Sequence, residues 1–151
     1  MPAQPRIRPM RTSDLDRILA IERASFGPEA YDRKLFADYR ARCGPLFLVA
    51  ELRGVLCGYM ITSLRREAAE LVSVAVAPPY RRAQAASGLL EATLRRLRRR
   101  RVSRLHLVVR AANRPAQAFY RKYGFRRLRP VPGYYEDGGD GILMSRAVYS
   151  E

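Results

Sequence analysis

Residues Leu71–Leu90 read LVSVAVAPPYRRAQAASGLL, and the order of residue types in that stretch decides the fold. The valine-rich run LVSVAV predicts a strand, and Pro78-Pro79 ends it. Leu90, Leu94 and Leu97 recur at i, i+4 and i+7, so a helix follows with one apolar stripe. A helix N-terminus carries unpaired amides and a partial positive charge, which suits an anion. Arg81 and Arg82 would add charge-assisted donors. Glycine would let an anion come closer to the backbone, yet this turn reads Arg-Arg-Ala-Gln-Ala-Ala. Two readings stand from the segment alone: a phosphate cradle without its glycines, or a basic helix start that binds nothing.

Toward the N-terminus, Thr12-Ser13-Asp14 offers cap residues and early acid before the apolar positions Leu15, Ile18, Leu19 and Ile21. This predicts an amphipathic helix ending near Phe26-Gly27-Pro28. A second helix is expected from Tyr31 to Arg42, stopped by Gly44-Pro45. LFLVAEL and VLCGYMITSL flank Arg53-Gly54, the signature of a hairpin, and Leu71–Val76 is the third strand of that meander. Toward the C-terminus, RLHLVV is a strand, Pro115–Tyr123 a helix closed by Gly124, and FRRLRPV and GILMSRAV two strands joined by a loop over Pro132–Gly141. The cations from Arg95 to Arg101 fall where the helix dipole favours them. The strand-helix-strand unit should be parallel and right-handed. The expectation is one α/β domain over residues 1–151, with a mixed, mostly antiparallel sheet and flanking helices.

At 151 residues and 48% hydrophobic content, the chain can bury a sizeable core and disorder is excluded as a whole-chain reading. Its apolar runs fall short of the ~20 residues of a membrane span, and MPAQPRIRPM has no apolar signal core. Two cysteines, Cys43 and Cys57, are too few for a metal site, so a cytoplasmic protein without metal is expected. The net charge is +15, with 29 basic residues against 14 acidic ones. Such a field attracts nucleic acid, ribosomes or an anionic cofactor, and biased composition on a solvated surface explains it equally.

Single chemical groups carry little by themselves. His106, the only histidine, alternates with Leu105 and Leu107 and reads as a structural or solvent-facing side chain. Cys57 has no basic neighbour in sequence to activate it. The Arg95–Arg101 run has no interleaved aromatics for stacking on single strands, so a solvated helix end is the better reading.

Taken in order, SVAVAPPYRRAQAASGLL, LHLVVRAANRPAQAFYRKYGF and GYYEDGGDGILMSRAV resemble the GCN5-related N-acetyltransferase (GNAT) superfamily. More narrowly they resemble its N-terminal protein acetyltransferases of the archaeal catalytic-subunit and RimI types. The specific pattern is N-x-x-A-x-x-x-Y-x-x-x-G-F from Asn113 to Phe125, followed by GYY-x-D-G-x-D. GPEAY, near the N-terminus, resembles the family's proline-glutamate-x-tyrosine segment.

The resemblance implies acetyl-coenzyme A as cosubstrate, bound between splayed parallel strands at Leu71–Val76 and Leu105–Val109. It implies coenzyme contacts from Val74, Ala75 and Val76, from the turn residues Arg81, Arg82, Ala83, Gln84, Ala85, Ala86 and Ser87, and from Asn113 and Tyr120. Gln84 occupies the first glycine position of the family pattern. A first-turn residue needs no positive φ, so Gln84 is expected to offer its amide while its side chain crowds the pyrophosphate. Tyr120 is the implied hydrogen-bond donor to the departing thiolate. A peptide's α-amine, with pKa near 8, must also lose a proton. RimI-type relatives carry a glutamate where Val108 stands, so the implied bases are Glu29, in the archaeal-type segment, and Glu70, at a position where relatives have histidine or tyrosine. A strand-edge carboxylate paired with an arginine is the alternative for Glu70. Tyr31, Tyr134 and Tyr135 match residues that hold the first residues of a peptide. The implied partners are protein or peptide N-termini, with a ribosome or nucleic acid compatible with the charge, acting as a monomer or homodimer. Acetylation of a lysine or a small amine, or a GNAT-fold protein on RNA with weakened turnover, are the rival readings.

Overall fold

In the computed structural model, residues 4–81 and 84–149 are described. The elements in chain order are β1 (Arg6–Pro9), α1 (Leu15–Phe26), α2 (Arg33–Cys43), β2 (Phe47–Leu52), β3 (Val55–Arg65), β4 (Ala68–Val76), α3 (Ala85–Arg99), β5 (Arg104–Arg110), α4 (Arg114–Lys122), β6 (Arg126–Val131) and β7 (Gly141–Ala147). Short 3-10 turns at Thr12–Asp14, Gly27–Glu29, Gly44–Leu46 and Pro78–Tyr80 join several of them. The α/β expectation and the expected helices and strands match, apart from shifted ends and β1. That strand, four residues with arginines and a proline, pairs antiparallel with β2 and has no apolar alternation to announce it.

Among the described residues, seven strands lie in the order β1-β2-β3-β4-β5-β7-β6. The Arg53-Gly54 hairpin has both residues at positive φ (54° and 81°), which matches the twist of the flanking strands. One core lies between the sheet and α3 and α4, including Leu89, Leu90, Leu97, Leu105, Leu107 and Tyr120. The other lies under α1 and α2, including Ile18, Leu19, Phe36, Val49 and Tyr59. Helices on both faces make three layers. Among the described residues, no helix is long and apolar enough to cross a membrane, and no group of three or more metal-ligating side chains occurs.

Two irregularities of β4 position the site. Ile61 of β3 faces Ser73, whereas Thr62 faces Leu71, so Val72 is an extra residue without a partner. Such a bulge bends its strand and increases the local twist. On the other side, β4 pairs parallel with β5 only through Ala68–Arg104, Ala69–Leu105 and Glu70–His106. Past Glu70 the two strands separate, while β5 stays paired to β7 as far as Arg110. The result is a sheet opened along two thirds of β4, from Leu71 to Val76.

Candidate active site

The opening presents Leu71–Val76 on one side and Leu107–Arg110 on the other, with no register partner across the gap. Strand backbone that has lost its neighbour needs new hydrogen-bond partners. Val74 and Val76 pack partly into the core beneath α3, and Ala75 is buried on the α1–α2 face. The opening continues into α3. The Gln84 side chain does not cap that helix, so among the described residues its first-turn amides have no side-chain cap. Ala85 is buried, Ala86 and Ser87 are half-buried, and the Ser87 hydroxyl donates to the Gln84 carbonyl at 3.1 Å. Arg81 folds back, its Nε donating to the Val76 carbonyl at 3.2 Å. Arg82 and Ala83 lie outside the described residues.

Gln84 corrects the sequence expectation. It stands immediately before α3 with φ 64° and ψ 18°, in the left-handed region. A glycine here would meet that backbone conformation without strain as well as allow a close approach. Glutamine takes up a geometry that costs an L-residue free energy.

At the exit of β5, Asn113 caps α4 by accepting from the Ala116 amide at 3.1 Å. Tyr120 is 6% exposed, its ring packed against Phe119 and Phe125. Burial, with a smaller contribution from Tyr135, pushes its phenol well above the ordinary value, so the hydroxyl keeps its proton at neutral pH.

The predicted acceptor side gathers from four distant segments. Tyr31 packs on Phe36 and Tyr39, with ring centroids 5.8 and 6.0 Å apart. Tyr134 meets Tyr135 edge-on at 4.9 Å, and the Arg110 guanidinium lies 4.0 Å over the Tyr135 ring. Burial is the main reason that all three tyrosines titrate high, Tyr31 being pushed up to about 12. The Glu70 charge adds a smaller upward contribution at Tyr31 and Tyr134.

The two glutamates differ in what holds them. Glu29 is ion-paired to Arg110 at 2.6 Å, and the same guanidinium reaches Asp137 at 3.2 Å. Arg110 thereby ties the α1–α2 turn to the β6–β7 loop beside the opening. Asp137 also accepts from the Gly139 amide at 2.9 Å, and that bond first, then Arg110, holds its carboxyl below the usual range. Asp140 accepts from the Gly133 amide at 2.9 Å, so both aspartates shape the loop as Asp-Gly turns do. Glu70 lies within β4, its side chain 34% exposed, and meets Arg65 at 3.2 Å. That arginine is itself 70% exposed, and a solvated pair of this kind is weak. His106, read from the sequence as a structural or solvent-facing side chain, is the register partner of Glu70 at the last paired position. Its Nδ1 is buried without a partner among the described residues.

Two contributors escaped the sequence reading. Arg110 ends a strand and carries no local sign of its two acidic partners. Glu22 is 1% exposed; it accepts from the Tyr31 amide at 2.8 Å and from the Tyr59 hydroxyl in a short hydrogen bond. Burial lifts its carboxyl above the ordinary value despite those two donors. It fixes the backbone of Tyr31 from below. Its place four residues after Ile18, on the apolar stripe of α1, was the available signal.

The pattern of the acetyltransferase (GNAT) family matches residues 14–125. The chain belongs to that family. It is similar to the N-alpha-acetyltransferase of Saccharolobus solfataricus, 33% identical over 94% of this chain and 92% of that one. The crystal structure of Ard1 from Thermoplasma volcanium superposes with a TM-score of 0.92, at 28% identity, covering 97% of this chain and 99% of that one. The ribosomal-protein-S18-alanine N-acetyltransferase of Escherichia coli superposes at 0.84, with 29% identity, covering 98% and 96%. For a GNAT chain the cosubstrate is acetyl-coenzyme A, and the described residues fit it. Unpaired strand backbone on β4 can bond the amides of a pantetheine arm, and the uncapped start of α3 can receive a pyrophosphate.

Proposed function

We propose that this GNAT chain is a protein N-α-acetyltransferase, moving acetyl from acetyl-coenzyme A to the terminal amine of a protein or peptide. The observation that supports it best is the mouth of the opening. Arg110, at the end of β5, ties the α1–α2 turn to the β6–β7 loop through Glu29 and Asp137, and Tyr31, Tyr134 and Tyr135 belong to those two segments. Loops tied in this way would admit a chain end more readily than a side chain that arrives with polypeptide on both sides.

Within this reading the acetyl thioester supplies the activated carbonyl. The residues at the start of α3, Gln84 to Ser87 with Arg81, would hold the pyrophosphate, Val74–Val76 would hold the pantetheine arm, and Asn113 would contact the coenzyme. Glu70 receives the proton of the α-amine through water, since its weak surface partner leaves it available. Glu29, engaged by Arg110, keeps the mouth in shape and is the lesser candidate for that proton. A new C–N bond forms as the C–S bond breaks, and the Tyr120 phenol, protonated at neutral pH, donates a hydrogen bond at the departing sulfur. The charge of +15 supports encounter with nascent chains near the ribosome, where the field of RNA attracts a basic protein.

The test compares coenzyme release with three peptides of otherwise equal sequence. One has a free Ser or Ala N-terminus and no lysine, one is N-blocked and carries a lysine, and one is blocked without lysine. Release only with the first supports the proposal. Faster release with the blocked lysine peptide overturns it in favour of side-chain acetylation.

A further inference from the structure

The basic charge is not spread evenly, and one cluster of it surrounds a cleft outside the transfer site. This cleft, of about 440 Å³, is lined by Arg104, Arg126, Arg146, Ser145, Gly124 and Tyr149 among others. Its volume lies in the ~300–1,000 Å³ range of small-molecule sites. It opens at the start of β5, the end of β7 and the start of β6. Arg110 and the transfer site stand at the other end of β5, six residues or about 20 Å away along the strand.

Three arginines line this cleft, Arg104 and Arg126 from one face of the sheet and Arg146 from the other, and no acid among the described residues lines it. Among the described residues, the ion pairs engage Arg8, Arg33, Lys34, Arg65 and Arg110 and none of the three. Neutral oxygens hold two of them in place. Arg104 Nε donates to the Ser145 hydroxyl at 3.1 Å. Arg146 donates from Nε to the Ala147 carbonyl at 2.8 Å and from Nη1 to the Tyr123 carbonyl at 2.6 Å. Gly124, at φ +93°, leaves room there: an added Cβ would stand 3.4 Å from Arg146 Nη1. These bonds orient the guanidinium groups without neutralising them. Arg98 adds a further cation nearby, its Nε bonded to the Val148 carbonyl at 3.0 Å; burial and then that neighbour make Arg146 hold its proton less tightly than usual. Like charges held together with free donors form a pre-oriented anion receptor.

We infer that this cleft is a second binding site, for a phosphate-bearing polyanion. Several guanidinium forks match the charge and tetrahedral oxygens of linked phosphates better than one carboxylate, which engages a single fork. The phosphates come either from a free polyphosphate-type metabolite or from an RNA backbone. The inference does not depend on the acetyl-transfer reading, because none of these residues belongs to that site.

The experiment uses the full chain with saturating acetyl-coenzyme A, so that the start of α3 is already occupied. Tripolyphosphate is titrated at constant ionic strength against sodium chloride, followed by calorimetry and by thermal melting. Wild type should show one saturable site and a rise in melting temperature. Arg104→Ala with Arg126→Ala should weaken binding by about tenfold or more, the scale of one charge-assisted hydrogen bond lost. The variant Arg23→Ala with Arg40→Ala, on exposed positions of α1 and α2, removes equal charge elsewhere and should bind like wild type. Retained coenzyme binding checks that each variant is folded, and Arg126→Ala alone, on the exposed edge strand, stands in if the double variant is not. Equal affinity in wild type and the cleft variants, an equal loss in the α1–α2 control, or no saturable binding beyond chloride overturns the inference. A single-stranded RNA oligonucleotide that displaces tripolyphosphate identifies nucleic acid as the source, and one that does not identifies a small polyphosphate.

Discussion

Replacing Gln84 by glycine isolates the one departure of this chain from its family's phosphate turn. Gln84 is held at φ 64° and ψ 18°, where an L-residue loses roughly 1–2 kcal/mol to the clash of Cβ with the following carbonyl. Glycine removes that cost and adds back about 0.5–1 kcal/mol of chain freedom in the unfolded state. The net gain should be about 0.5–1 kcal/mol, or ~2–3 °C in melting temperature for a chain of this length. Clearing the side chain from the turn should also tighten acetyl-coenzyme A by about 1 kcal/mol, roughly fivefold, the scale of one hydrogen bond. Gln84→Ala is the informative control, since it shortens the side chain and keeps Cβ. It should gain coenzyme affinity without gaining stability. Urea melts of the free protein and calorimetric titration with coenzyme separate the two effects. Equal stability of the alanine and glycine variants would refute the backbone argument, and unchanged affinity in both would refute the crowding argument.

Tyr120→Phe should lower turnover by about 10²-fold or more with little change in peptide KM; unchanged turnover, with chemistry shown to be rate-limiting, removes the hydroxyl from the reaction. Glu70→Gln should lose more activity than Glu29→Gln at saturating peptide, the double variant should lose most, and His106→Ala should stay active. A pH–rate profile of all four checks this, and full activity in the double variant or collapse of a folded His106→Ala contradicts it. Asp14 sits in a buried bidentate pair with Arg8, at 2.8 and 2.9 Å, so Asp14→Ala should cost about 3 kcal/mol at pH 7. Burial alone would raise the Asp14 carboxyl, but Arg8 and the Arg11 amide hold it below 3.8. Its contribution is therefore complete above that pH and lost as pH falls through the folded value. Urea melts of wild type and variant should converge under those acidic conditions, and a difference that persists there excludes the pair as its source.

Local patterns made most of the elements legible. The leucine stripe of α3, the Arg53-Gly54 turn and the run from Asn113 to Phe125 each announce themselves within a few residues, because periodicity, capping and turn chemistry act over one or two helical turns. Those signals place the α/β order and draw attention to the start of α3, to Tyr120 and to the tyrosine loop. What they leave open is set by pairing across long stretches of chain. Val72 becomes a bulge only through the register of β4 against β3, and that irregularity adjoins the end of the parallel pairing at Glu70–His106. Arg110 meets Glu29 across 81 residues and Asp137 across 27, turning one glutamate into a structural tie and leaving Glu70 the freer one. Glu22 is an acid on an apolar helical stripe until Tyr59 and the Tyr31 amide close around it. The left-handed backbone of Gln84 contradicts its own local preference, since glutamine avoids that region. A strand–helix junction can impose such a geometry because folding optimises the sum of many contacts, and no short stretch of sequence contains that sum.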